Sequence, residues 1–135
     1  MGLLAWLATY GAALAAFVVV DLTWLGVVAN GLYRDRMGSL LRESPNLPVA
    51  AVFYLVFLVG LLYFAIQPAV DGGGWPVALR NGALFGFFTY ATYDLTNLAV
   101  LRGYPASIAV IDLIWGSVLC TVVAAAAYAS ARAVA

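Results

Sequence analysis

Three aspartates lie inside otherwise apolar sequence: Asp21, Asp94 and Asp112. Each has a polar or aromatic residue three positions on, namely Trp24, Asn97 and Trp115. Residues three apart share a helix face, so each pair can act together. Two of the carboxylates fall in one stretch, TYATYDLTNLAVLRGYPASIAVIDLIW, which runs from Thr89 to Trp115. Asp94 is eight residues before Arg102, about 12 Å along a helix, and Asp112 is seven beyond Pro105, about 10 Å. The two can therefore meet at one level on adjacent antiparallel helices. A carboxylate in the apolar core of a membrane costs about 2.5–3.5 kcal/mol by insertion scales, so such groups are read first as functional. The chemistry they could carry is binding of a proton, a cation or a polar headgroup. Tyr90, Thr96 and Tyr54 are further polar candidates for the same layer. Close ionised carboxylates repel, so the spacing predicts either protonation or a cation among them. Arg34 and Arg102 are the candidate counter-ions or headgroup contacts. The competing structural reading is that these side chains only hydrogen-bond across helices and hold the bundle together.

The elements that must position them are hydrophobic segments. Of 135 residues, 66% are hydrophobic and 9% charged, and the mean hydropathy is +1.03. A soluble domain carries roughly 25% charged residues. Four segments approach the roughly 20 apolar residues that a spanning helix needs. They cover residues 3–28, 48–66, 82–101 and 108–131. With no water in the bilayer core, each must pair its own backbone groups, which makes it a helix. The expected fold is an all-α integral membrane protein, a four-transmembrane-helix bundle forming a single domain. Gln67-Pro68 is expected to end the second helix, and the run from Asp71 to Pro76 to form a turn. The connection 29–47 is either a short interfacial helix or an extension of the first helix.

Arginines set the orientation. Arg34, Arg36, Arg42 and Arg102 lie in the first and third connections, and Arg80 and Arg132 lie on the other side. Both termini are therefore expected outside. Trp6 and Trp75 would belong to the outer aromatic belt, and Tyr33 and Tyr104 to the inner one. No Lys or Arg precedes Arg34, so the positively charged start of a cleaved signal is missing. DLTWLGVV at Asp21–Val28 matches DLTNLAVL at Asp94–Leu101. The match suggests two parallel two-helix repeats related by an axis along the membrane normal.

Several classes are disfavoured. His is absent, which removes the commonest metal ligand, the usual neutral-pH acid–base group and any nucleophile–histidine pair. Cys120 is alone and reads as an inert packed thiol. Net charge is zero, so nucleic acid is not an expected partner. No cofactor or metal is expected. The DLTN of Asp94–Asn97 resembles half of a metal–diphosphate motif but lacks a second acidic cluster. Gly82-x-x-x-Gly86 and the ladder Gly116, Cys120, Ala124 are expected to let helices approach closely. Membrane lipids are expected partners, and a homodimer is a further expectation.

The words DLTWLG, TYDLTNLAVLRGYP and IDLIWGSVLC resemble a family of small bacterial four-span membrane proteins of unknown function. The resemblance covers nearly the whole chain. It implies a bacterial inner-membrane protein and brings no activity with it. Three functions stay open. The first is a small transporter or carrier coupled to a proton or cation. The second is a non-catalytic protein that binds a lipid or other amphiphile, or assists a partner. The third, least favoured, is an enzyme acting on a lipid or isoprenoid.

Overall fold

The computed structural model describes residues 1–135 and is all helical. Helix α1 spans Leu3–Thr23 and winds on as a π-helical turn, Trp24–Val28. Gly31, with φ of 80°, turns the chain into a short α2, Leu32–Met37. Helix α3 spans Leu47–Leu61; Asn46 caps it by accepting from the Val49 N–H, and Pro48 sits in the first turn. Helix α4 spans Gly74–Val100 and α5 spans Ala106–Val134.

Three continuous helical stretches are long and apolar enough to cross a membrane: Leu3–Val28, Leu47–Val100 and Ala106–Val134. The middle one has 54 residues and would be about 80 Å long if straight. Instead it folds back on itself. Gly72 and Gly74 have φ of 128° and 68°, a backbone region that costs glycine little. Beyond that reversal Asn81 donates to the Phe64 carbonyl at 2.9 Å, and the Phe57 and Phe85 rings pack with centroids 5.0 Å apart and planes tilted by 45°. The stretch therefore makes two antiparallel passes, and the bundle has four long passes in all.

Two expected boundaries move. Pro68 does not end the second pass. It lies between two π-helical turns, Leu62–Ile66 and Ala69–Gly73, whose wider winding accommodates a ring that would clash in a regular turn. The third pass begins at Gly74 rather than Gly82. Pro76 falls in its first turn, where a missing N–H costs no hydrogen bond, so the turn ends before Trp75.

The outer surface is apolar. Leu4, Val27, Val52, Val56, Phe88 and Ile114 are among many exposed large hydrophobics. Hydroxyls hide in their own helices: Thr9, Thr23, Thr92 and Thr121 each donate to the carbonyl four residues back. Such a surface suits lipid, not water.

Helix α5 is the main neighbour of both α1 and α4. Small residues set the α4–α5 distance, as expected from their spacing. A Cβ on Gly82 would lie 2.6 Å from the Ala124 Cβ. One on Gly86 would overlap the Gly116 carbonyl, and one on Gly116 the Tyr90 ring. By contrast α1 touches α3 only sparsely and uses α5 as its main neighbour. The two helix pairs of the chain are thus packed unequally. The Tyr10 hydroxyl, donating to the Leu55 carbonyl at 2.8 Å, is one tie between α1 and α3.

Candidate functional site

The last turns of α1 and the first turns of α5 run antiparallel and bring Asp21-x-x-Trp24 against Asp112-x-x-Trp115. The two indoles stack, with centroids 4.4 Å apart and planes 11° from parallel. Trp115 Nε1 donates to Asp21 Oδ1 at 3.2 Å. Trp24 Nε1 donates to the Tyr33 hydroxyl at 3.0 Å. Tyr33 in turn donates to Asp112 Oδ1 at 2.7 Å. The recurring words Asp-x-x-Trp thus meet each other, and each tryptophan serves the other's aspartate, one directly and one through a phenol.

Tyr33 reaches Asp112 because α2 tucks its apolar side onto the start of α5. Leu32, Tyr33 and Met37 pack against Tyr104, Ile108 and Ala109. Burial, and then the neighbouring Asp112 carboxylate, push the Tyr33 hydroxyl above the ordinary tyrosine range. It therefore remains a hydrogen-bond donor at any ordinary pH.

Asp94, on the buried side of α4, has 0% exposure. Gly103, with φ of 72°, swings Tyr104 back beneath it, and the Tyr104 hydroxyl donates to Asp94 Oδ1 at 2.6 Å. Burial, and then that same carboxylate, hold the Tyr104 hydroxyl above its usual range. Asp94 Oδ2 has no hydrogen-bond partner although it is buried. Asp112 is close enough to interact with the Asp94 carboxyl. Two ionised carboxylates offer each other acceptors only, and a shared proton or a cation is the species that completes such a contact.

The other expected site residues divide. Tyr90 packs its ring over Gly116 and is in the layer. Tyr54 is half-buried, with its hydroxyl near Asp21 and its ring 5.0 Å from Phe17. Asn97 is half-buried beside Tyr93 and Tyr104. Thr96 is exposed and gives its hydroxyl to the carbonyls of Thr92 and Tyr93, so it stands outside the cluster. Arg34 and Arg102 are exposed. The carboxylates' donors are neutral aromatics instead: Trp115, Tyr33 and Tyr104. Stripping water from a guanidinium is costly, whereas a phenol or indole carries an apolar body to the same place. The residues that sequence reasoning missed are Tyr33 and Tyr104. Their signal was position: each lies in an arginine-bearing connection, within reach of the carboxylate layer.

A groove opens between α3 and α4. Phe53, Phe57, Thr89, Tyr90, Thr92 and Tyr93 line it, Asp112 contributes from α5, and its volume is about 490 Å³. Thr89 and Thr92 hydroxyls are engaged by their own helix. Asp112 uses only Oδ1 on Tyr33.

Residues 6–129 match a family described as "Predicted membrane protein (DUF2177)". The chain belongs to that family. No curated protein and no solved structure matches it. The family description and the three long apolar helical stretches agree on an all-helical membrane protein, and the family has no assigned activity.

Proposed function

We propose that this chain binds an amphiphile from the surrounding lipid of a bacterial inner membrane. The observation that carries the reading is the groove between α3 and α4, which is walled by rings and methyls and has one carboxylate, Asp112. Its volume lies in the range of small-molecule sites, and such sites combine apolar walls with a few placed polar groups. Phe53, Thr92 and Tyr93 are exposed, so a ligand can slide in sideways without crossing water. The tail would lie along Phe53 and Phe57, and the head would reach Asp112.

Native mass spectrometry of the purified chain tests this. A co-purified amphiphile should be present and should be lost on Thr92→Trp, which places an indole at the rim of the groove. An unchanged adduct in that variant rejects the groove as its site.

A carrier coupled to a proton or cation is the second reading. The partnerless Asp94 Oδ2 beside Asp112 favours it, because a buried acceptor pair is where such a species would ride. Proton release on ligand binding, abolished by Asp94→Asn, separates carrier from simple binder.

A further inference from the structure

The groove's chemistry narrows the class of head that it takes. We propose that the occupant's head is a cation, a primary or quaternary ammonium on an apolar tail. This rests on the groove being the binding site.

Four aromatic rings, Phe53, Phe57, Tyr90 and Tyr93, line the groove. Ring faces attract a cation within about 6 Å of their centroids, and more strongly once water is excluded. Aromatic walls enclosing one acidic group are the arrangement that recognises ammonium groups.

Charge points the same way. Asp112 is the one charged residue of the lining. Asp94 lies behind it, and Asp21 adds its field from α1. The nearest arginines in sequence, Arg34 and Arg102, face solvent. An anionic head would meet the Asp112 carboxylate and no cation in the lining. A neutral hydroxyl would find an acceptor but gain nothing from the rings.

Donor counting agrees as well. The hydroxyls of Thr89 and Thr92 are spent on backbone carbonyls, which leaves only the neutral phenols of Tyr90 and Tyr93 as donors to a phosphate or sulfate. Asp112 has an oxygen beyond the one that Tyr33 uses. An ammonium there would form the charge-assisted contact that its neighbours leave open.

The test compares dodecylammonium, dodecanol and dodecyl sulfate, which share one tail. Each is titrated into the full chain in neutral maltoside micelles, with wild type read against variants. The ammonium should bind on the order of tenfold tighter than the alcohol, and the sulfate should be weakest. Asp112→Asn should cut the ammonium-to-alcohol ratio to about two- to fivefold, the share that the rings supply. Tyr93→Leu replaces an exposed ring by apolar bulk and should fold whatever becomes of the first variant. It should weaken the ammonium alone, by about two- to fivefold. Equal affinities for ammonium and alcohol, both lost on Thr92→Trp, would overturn the cation while leaving the groove in place. Preference for the sulfate would overturn it too. Binding that ignores Thr92→Trp for every probe would remove the groove and this inference together.

Discussion

Trp24 and Trp115 stack at 4.4 Å, and this contact fastens the end of α1 to the start of α5. It also sets the donors. Trp115 faces Asp21, while Trp24 reaches Asp112 only through Tyr33. Tyr33 is therefore a relay, accepting on one side and donating on the other, and α2 is held to the bundle through it.

Removing that relay should free α2. Tyr33→Phe keeps the ring and deletes one donor and one acceptor. The expected cost is about 1–2 kcal/mol. Hydrogen exchange should quicken across Leu32–Met37 and change little in α4. Unaltered protection in α2 would show that apolar packing alone holds it.

Tyr104 should matter more. Tyr104→Phe leaves Asp94 buried with neither oxygen served by the phenol, a loss of about 2–3 kcal/mol. Adding Asp94→Leu to that variant should return most of the loss, because an apolar pair leaves no orphaned group. Unfolding of the two variants in detergent measures both steps. If the double variant is no more stable than Tyr104→Phe, the carboxylate is not what the phenol serves.

The glycines of α4 and α5 give a contrast within one chain. Gly86→Ala drives a methyl into the Gly116 carbonyl and should cost about 1–3 kcal/mol. Gly11 in α1 has nothing within 4 Å of its would-be Cβ. Gly11→Ala should stabilise by about 0.5–1 kcal/mol, since alanine loses less freedom in a helix. Thermal melts of the two variants should move in opposite directions.

Topology can be read with cysteines after Cys120→Ala. Ser39→Cys lies on the face that holds Tyr33, and Asp71→Cys lies at the opposite turn. The arginine bias predicts that an impermeant thiol reagent reaches position 71 from outside and misses position 39. The reverse pattern inverts the orientation but leaves the bundle unchanged.

The carboxylate layer was legible because its parts are measured from one visible break. Asp94 and Asp112 flank the Arg102–Pro105 turn at similar distances, so antiparallel helices must bring them level. The glycine contacts were legible for the same reason, since spacing along one helix fixes which residues share a face. Thr96 was misplaced by the same geometry: two residues beyond Asp94 it lies about 200° around the helix, on the far side. What could not be read depends on neighbours in space. The match between Asp21 and Asp94 suggests a symmetry between α1 and α4, yet α1 packs on α5, and there the Asp-x-x-Trp words pair. Tyr33 and Tyr104 looked like interfacial anchors because their reach depends on how α2 folds in and how Gly103 bends the turn. The groove was hidden because it is the space between two helices, not a property of either.

The sequence separations within the hydrogen-bond network bear on the order in which the protein is made. Tyr104 is ten residues from Asp94, so α4 carries its carboxylate into the membrane with the donor close behind. Asp21 waits for Trp115, 94 residues later, and Tyr33 waits 79 residues for Asp112. Until the last helix emerges from the ribosome, the end of α1 holds an acid without its indole donor, which disfavours deep burial. The end of the first helix is therefore fully partnered only when the final one arrives, and a chain cut short before α5 keeps the α1–α3 contacts but leaves Asp21 without its indole and Tyr33 without its carboxylate.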